Sequence, residues 1–262
     1  MLDVRNAVLG YRKKQEDKVV LDKLCFCLSP GELLCVLGAN GAGKTTLYRT
    51  ILGFIPLLGG QIMIDGCDMS ELSRMQLARK IAYVPQYHTP PFPYTVFDVV
   101  LMGRNTHMSQ FAAPGKRDVE IAEEMIERMD IAHLRNEVYT EISGGERQMV
   151  LIARALTQQS EYILMDEPTA SLDFGNQIKV LRMIRKLADD GMGVCFTSHN
   201  PSHALQVNAS VLAIESKRNA HKGPAREVVT ARLLKDMYGV EAKVCNVGEE
   251  ADDMNTEIIV RI

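Results

Sequence analysis

Residues 38–45 read Gly-Ala-Asn-Gly-Ala-Gly-Lys-Thr, and the apolar run Leu33–Leu37 comes directly before them. The octapeptide fits G-x-x-x-x-G-K-[ST], the pattern of a loop that binds the phosphates of a mononucleotide. Its glycines let backbone N–H groups approach phosphate oxygens without a Cβ in the way. A helix that begins at Lys44 adds the positive end of its dipole. The strand, loop and helix together predict a phosphate-binding site.

Several side chains of this loop have expected roles. Lys44 reaches the β- and γ-phosphates, the Thr45 hydroxyl binds Mg²⁺, and Thr46 contacts the α-phosphate. We expect the following residues to bind the nucleotide: Gly38, Asn40, Gly41, Ala42, Gly43, Lys44, Thr45 and Thr46. The loop alone predicts phosphate binding and does not identify the class of NTPase.

A second apolar strand, Tyr162–Met165, ends in two carboxylates, Asp166 and Glu167. A buried strand that ends in a polar turn explains them equally well, since Pro168 follows at once. The phosphate-binding loop upstream favours the functional interpretation, because such a strand lies beside that loop in enzymes of this type. We therefore expect Asp166 to hold Mg²⁺ through water and Glu167 to polarise the water that attacks the γ-phosphate.

The segment 142–148, just before that strand, reads Ile-Ser-Gly-Gly-Glu-Arg-Gln. Ser143 and Glu146 have the spacing of a capping box at the start of a helix. Two adjacent glycines in a first helical turn each cost about 1 kcal/mol relative to alanine. That cost is understandable if backbone N–H groups there approach a ligand, so the segment is a second candidate anion site.

Strands and helices alternate on both sides of a helical middle third. Strands are predicted at 4–9, 19–28 and 32–37, and the helical period runs from Lys116 to Arg135. From residue 144 onward helices and strands alternate again, which predicts a mostly parallel sheet with helices on its faces. Residues 239–262 predict two short strands around the acidic turn 249–253.

The composition of the chain argues against a dedicated nucleic-acid-binding protein and against a membrane-spanning one. The formal net charge of −3 and the pI near 6.1 are unlike those of a dedicated nucleic-acid-binding protein. No apolar run approaches the roughly 18–20 residues of a membrane span, and the N-terminus lacks the features of a signal peptide. The six cysteines include no C-x-x-C pair. Cys25, Cys27 and Cys35 lie in apolar strand-like runs, which predicts reduced, buried thiols.

With these motifs the chain resembles the ATP-binding-cassette (ABC) ATPases, whose signature reads L-S-G-G-Q or L-S-G-G-E. Ile142 replaces the leading leucine. The resemblance covers residues 1–240, and every marker stands in the family's order. Four further positions match family markers: Tyr11 for the ring that stacks on adenine, Gln86 for the glutamine that senses the γ-phosphate and Mg²⁺, Asp173 in the D-loop 171–173, and His199 for the switch histidine.

The resemblance implies an α/β fold with a P-loop NTPase core, whose sheet is mostly parallel. To this core it adds an N-terminal antiparallel β subdomain and an α-helical insert. The implied domains are an ABC ATPase domain over residues 1–240, with a helical subdomain at about 87–157, and a short C-terminal β extension over residues 241–262.

The resemblance also implies that two cassettes pair head to tail and hydrolyse ATP with Mg²⁺. Ser143, Gly144 and Gly145 of one chain would complete the ATP site of the other, and Asp173 would communicate across the homodimer. The residues that the resemblance makes catalytic are Glu167, His199, Lys44 and Gln86, and the metal-binding set is Thr45, Gln86 and Asp166.

A subgroup of importers matches the segment 99–107, Val-Val-Leu-Met-Gly-Arg-Asn-Thr-His. It is similar to the V-x-x-G-R-x-P-H stretch of importers for iron–siderophore, haem and cobalamin, with Thr106 in place of the proline. Residues 171–177 are similar to the same subgroup, while 88–93 and 97–104 resemble the molybdate or tungstate branch. The implied protein lies on the cytoplasmic face of the membrane and docks on a multi-span permease, which receives its cargo from a substrate-binding protein.

Three other classes of ABC protein are alternatives to an importer. The main alternative is a soluble ABC ATPase without a permease, such as an iron–sulfur cluster assembly ATPase. A DNA-repair ATPase is disfavoured, because the roughly one hundred residues between loop and signature are too few for its long coiled coil. An exporter half usually carries a membrane domain on the same chain, and none is expected here. The cargo cannot be inferred from these residues.

Overall fold

The computed structural model of the protein describes residues 1–12, 14, 16–88, 90, 92–109, 112–247 and 255–260. The strands are β1 (Leu2–Tyr11), β2 (Lys18–Leu28), β3 (Leu33–Gly38), β4 (Gly59–Ile64), β5 (Cys67–Asp68), β6 (Ile81–Val84), β7 (Tyr162–Met165), β8 (Gly193–Ser198), β9 (Ser210–Ile214), β10 (Ala220–Pro224), β11 (Ala242–Val247) and β12 (Asn255–Val260). The helices are α1 (Lys44–Ile51), α2 (Arg74–Lys80), α3 (Val96–Leu101), α4 (Lys116–Arg128), α5 (Gly144–Leu156), α6 (Phe174–Asp189), α7 (Pro201–Gln206), α8 (Ala225–Val228) and α9 (Ala231–Tyr238).

A six-stranded sheet forms the centre of the fold, with strand order β10-β9-β3-β8-β7-β6. Its strands pair in parallel except for β10, which pairs antiparallel with β9. Strands β3, β7 and β8 are buried along their whole length, which explains their continuous, largely apolar sequences. Because they run in parallel, their C-terminal ends meet at one edge of the sheet.

Each face of the central sheet carries its own hydrophobic core. One face packs against α1 and an antiparallel sheet of order β2-β1-β4-β5. The other face packs against the helices of the middle and C-terminal parts, including α3, α4, α5 and α6. The predicted fold class is therefore confirmed: an α/β core with a mostly parallel sheet, an N-terminal antiparallel β subdomain and an α-helical insert.

The importer-like segment 99–107 ties α3 to the C-terminal end of α5. A Cβ on Gly103 would lie 2.0 Å from the Arg154 carbonyl oxygen, so only glycine allows this approach of the two backbones. The buried guanidinium of Arg104 donates to the Thr157 carbonyl oxygen (2.7 Å) and pairs with Asp118 of α4 (2.9 Å). The motif therefore caps α5 and holds three helices together, a structural reason for its residues.

Two sequence predictions about local structure are wrong. The helix predicted over residues 116–135 ends at Arg128, because the chain turns at Asp130, whose φ of 56° lies in the left-handed region. Cys25 and Cys27 were expected in the core, but Cys25 is exposed and Cys27 is only half-buried. Alternation along β2 places Leu24 and Phe26 inward and therefore turns Cys25 outward.

The last two strands, β11 and β12, pair antiparallel, which confirms the two strands predicted near the C-terminus. Val244 and Ile258 pack against the core that α9 also joins. The acidic turn 249–253 lies outside the described residues, as do Thr89 and Pro91 of the stretch 88–93. Within the described ranges, no helix combines the length and apolar character that a bilayer span requires.

Candidate nucleotide site

The loop between β3 and α1 has the backbone shape of an anion cradle. Gly41 and Gly43 have φ values of 82° and 106°, which favour glycine. A Cβ on Gly43 would also lie 2.9 Å from a methyl carbon of Val20, so this position needs glycine for two reasons. Among the described residues, no side chain caps the N-terminus of α1. Its first N–H groups can therefore donate hydrogen bonds to an anion that is bound in the loop.

Lys44 lies inside the loop with 7% of its surface exposed. Its ammonium group donates to the Gly38 carbonyl oxygen at 2.7 Å and lies 3.8 Å from Glu167 Oε1. Burial lowers the pKa of Lys44, and the nearby carboxylates of Glu167 and Asp166 oppose that shift. The cation is therefore held between the loop backbone and the end of β7.

Asp166 and Glu167 follow β7 and lie beside the loop. Burial raises the pKa of Asp166, while hydrogen bonds from Thr197 and Thr45 lower it in part. Glu167 has a φ of 48°, a left-handed conformation that costs a non-glycine residue about 1–3 kcal/mol. Glu167 is one of eight described non-glycine residues with a positive φ, and such strain indicates a functional position where neighbouring side chains enforce it beside a site.

Thr197 provides that enforcement, although no sequence motif predicts it. Its hydroxyl donates to Asp166 Oδ1 at 2.8 Å and accepts the Glu167 backbone N–H at 2.7 Å. The Thr197 side chain thus fixes both the carboxylate of Asp166 and the backbone of Glu167. A threonine in a buried strand, two residues before His199, was the available signal, but it became meaningful only when β7 and β8 paired.

Three predicted side chains surround the Glu167 carboxylate, which has 17% of its surface exposed. The Gln86 amide donates to Oε2 at 3.0 Å. His199 Nδ1 lies 3.6 Å from the same oxygen, and Lys44 Nζ lies 3.8 Å from Oε1. The structure therefore brings together residues from the ends of β3, β6, β7 and β8, a constellation suited to holding a water against a phosphate.

A cavity of about 400 Å³ opens between the loop and these side chains. Its lining consists of Asn40, Gly41, Ala42, Gly43, Lys44, Thr45, Thr46, Gln86 and Glu167. Tyr11 lies at the side of the loop, where its hydroxyl is 3.3 Å from Thr46 Oγ1. A neighbouring groove continues past Asn40 and Glu167 to Ser171 and His199.

The glycine-rich segment 142–148 begins α5, with Ser143 as its N-cap. Ser143 Oγ accepts the Glu146 N–H at 3.3 Å, and the Glu146 carboxylate accepts the Ser143 N–H at 2.8 Å, so the predicted capping box is present. A Cβ on Gly145 would lie 2.5 Å from the Asn176 amide carbon. Gly145 therefore has a packing reason besides the ligand approach that the sequence suggested.

Asp173 caps α6 and connects this segment to the D-loop. Its Oδ1 accepts the Asn176 N–H at 3.0 Å, and its Oδ2 accepts from the Asn176 side chain at 2.5 Å. The backbone N–H of Asn176 and then its side chain lower the pKa of Asp173. Among the described residues, those that line the cavity include neither Asp173 nor the segment 143–145. The two candidate anion sites that the sequence suggests therefore lie on separate surfaces of one chain.

The candidate metal-binding residues supply oxygen donors of three kinds. Thr45 offers a hydroxyl, Asp166 a buried carboxylate and Gln86 an amide, and all three lie at the same end of the sheet. Magnesium prefers hard oxygen ligands and usually keeps several of its waters. The chemistry of this donor set therefore fits Mg²⁺ next to a phosphate.

Comparisons with known proteins agree with this geometry. A family model described as ABC transporter matches residues 21–170. An uncharacterised ABC transporter ATP-binding protein of Haemophilus influenzae is 39% identical over 238 residues, which span 91% of this chain and 89% of that protein. The molybdate import ATP-binding protein MolC of the same organism is 36% identical, with 90% and 87% of the two chains covered.

A solved structure is also similar over the whole length of the chain. It is assigned to a metal-chelate type ABC transporter in an inward-facing conformation. The TM-score is 0.85 and the identity is 32%, with 100% of this chain and 97% of that chain covered.

Replacing Thr197 by valine tests the hydrogen bonds that hold the two carboxylates. Valine keeps the shape, but the Asp166 carboxylate and the Glu167 N–H lose their partner, so we expect the free energy of unfolding to fall by about 2–3 kcal/mol. Urea denaturation measures this change. The matched control is Thr157→Val, which removes an equally buried hydroxyl that bonds only to carbonyl oxygens and should cost about 1 kcal/mol. Equal losses in the two variants would contradict the role of Thr197.

Proposed function

Because this chain belongs to the ABC transporter family, we propose that it binds and hydrolyses ATP as the motor subunit of an importer. The observation that carries the proposal is the convergence of Lys44, Gln86 and His199 on Glu167, at the mouth of the loop cavity. A nucleotide-binding module without catalysis would not need a strained carboxylate held by three side chains. The loop supplies binding, and the end of β7 supplies the catalytic group.

The positions of these residues indicate the role that each has in ATP hydrolysis. The loop N–H groups and Lys44 bind the phosphates and neutralise charge that develops on the γ-phosphate. Glu167 polarises the attacking water and accepts its proton, while Gln86 and His199 orient that carboxylate. Thr45, Gln86 and Asp166 would hold Mg²⁺, which would offset the negative charge of the phosphates when it is bound. Tyr11 supports the adenine from the side of the loop.

The functional unit that we propose is a homodimer. Ser143, Gly144 and Gly145 begin a helix whose N-terminus can bind an anion, but they lie outside the cavity of their own chain. A second cassette placed head to tail would bring this segment to the γ-phosphate of the opposite site. Asp173, next to it on the D-loop, would then carry information between the two sites.

The importer assignment is supported by the relatives and by the surface after Gln86. Tyr87 and Phe92 expose 70% and 61% of their surface, and Phe54 exposes 66%. Tyr87 and Phe92 follow Gln86 in the chain, and exposed apolar side chains that form one patch are typical of a surface that binds another protein. We propose that they dock a membrane permease, with the chain on the cytoplasmic side. The cargo class is a metal chelate or an oxyanion such as molybdate, as the matched transporters suggest.

The substitution Glu167→Gln tests the catalytic assignment. Glutamine keeps the size and one acceptor oxygen but cannot accept a proton, so we expect ATP binding to persist while turnover falls about 10²–10⁴-fold. Phosphate release and the binding of a fluorescent ATP analogue measure the two quantities. The control is Glu161→Gln, an exposed residue that directly precedes β7, which should leave both unchanged. Normal turnover in Glu167→Gln would make the general-base assignment wrong.

Purification from detergent-solubilised membranes separates an importer from a soluble iron–sulfur assembly ATPase. We expect the wild-type chain to bring with it a multi-span membrane protein, because the aromatic surface needs an apolar partner. The double substitution Tyr87→Ser and Phe92→Ser should lose that protein, whereas Ile259→Ser, which alters an exposed apolar residue on β12, should keep it. A wild-type chain that brings no membrane protein would contradict the importer assignment.

A further inference from the structure

A second imidazole lies four residues beyond the switch histidine. His203 is on α7, the helix that Asn200 caps, and only 4% of its surface is exposed. A histidine on a short helix is usually a structural group, so its sequence position alone indicates no function. Its ring nitrogens, however, face polar side chains from the loops after β7 and β8.

The ring nitrogens of His203 contact three side chains. Nδ1 lies 3.1 Å from Ser198 Oγ and 3.3 Å from Thr169 Oγ1. Nε2 lies 3.2 Å from the side-chain nitrogen of Asn200. Thr169 belongs to the segment that leads from Glu167 into the D-loop, whereas Ser198 and Asn200 directly flank His199. The ring therefore links the loop after β7 to the loop after β8.

This network determines the tautomer of the ring. Asn200 Oδ1 accepts the Ser202 N–H at 3.0 Å, which turns the amide nitrogen of Asn200 toward His203 as a donor. Nε2 must then accept, so the proton lies on Nδ1 and is shared between the two hydroxyl oxygens. If Nε2 carried the proton, its N–H would face the amide N–H of Asn200, and two donors would meet without an acceptor. Burial, followed by the proximity of His199, lowers the pKa of His203 to about 4, in agreement with a neutral ring.

We propose that His203 is a positioning residue for ATP hydrolysis, which holds the switch loop and the stem of the D-loop in fixed relation to Glu167. The proposal rests on the proposed ATPase function.

His199 itself has 59% of its side chain exposed, and its Nδ1 reaches Glu167 Oε2 at 3.6 Å. The position of such an exposed side chain depends on the backbone of residues 198–200. Ser198 Oγ accepts the Asn200 N–H at 3.0 Å and donates to the Asn200 carbonyl oxygen at 3.2 Å, so the turn and the imidazole form one unit.

The test compares two substitutions of His203 for their effects on kcat and on KM. His203→Leu fills the space without polar atoms, and we expect kcat to fall about tenfold or more, because small misplacements of catalytic groups are costly. KM for ATP should stay within about twofold, since the loop that binds the phosphates is untouched. His203→Asn places an amide donor where Nδ1 lies, and it should recover most of kcat.

A matched control separates positioning from general loosening of α7. Leu205→Ala removes a buried side chain from the same helix, and it should lower the melting temperature while kcat measured well below that temperature stays near wild type. A His203→Leu chain with wild-type kcat would overturn the proposal. So would an Asn variant no better than the Leu variant, or a Leu205→Ala variant with an equal loss of kcat. Failure of the proposed function is distinguishable, because the wild-type chain would then hydrolyse no ATP at all.

Discussion

The parallel pairing of β3, β7 and β8 is the constraint on which the site depends. Leu37 lies opposite Ser198 in one pair of strands, and Met165 lies opposite Phe196 in the other. This register ends all three strands at the same edge, so the phosphate loop, the two carboxylates and the switch histidine emerge side by side. No one of these strands carries all of the site residues. A one-residue slip between β7 and β8 would separate Thr197 from both carboxylates.

The second constraint is electrostatic. Lys44 and Asp166 are each less than one-tenth exposed, and Glu167 is close to both. Burying these charges is tolerable because each has partners: the Gly38 carbonyl oxygen for the cation, and the Thr197 hydroxyl for the first carboxylate. The Glu167 backbone is bent into a left-handed conformation so that its side chain faces the cavity. Binding and positioning thus share one network, which His203 extends into the two flanking loops.

The sequence predicts the parts of this site whose signal is local. The loop 38–45, the strand ending in Asp166 and the capped helix after Ser143 are all continuous motifs with a physical reason for each residue. Thr197 and His203 are not predicted in this way, because their partners in the other loop lie about thirty residues away and meet them only through strand pairing: Asp166 and Glu167 for Thr197, and Thr169 for His203. The segment 99–107 matched a transporter subgroup, and the structure gives its glycine and arginine a role in packing α5. The end of α4 at Arg128 was missed because a left-handed turn at an aspartate carries little sequence signal.

The proposed ATP site combines the loop of one chain with the segment 143–145 of another. A mixture of two inactive chains separates this arrangement from a site within one chain: Lys44→Ala lacks the phosphate-binding lysine, and Ser143→Arg blocks the helix N-terminus. If the site is shared, each heterodimer has both defects in one site and an intact second site. We therefore expect ATPase activity in the mixture that neither chain has alone. If the heterodimers form and the mixture stays as inactive as its components, the site is not shared between chains.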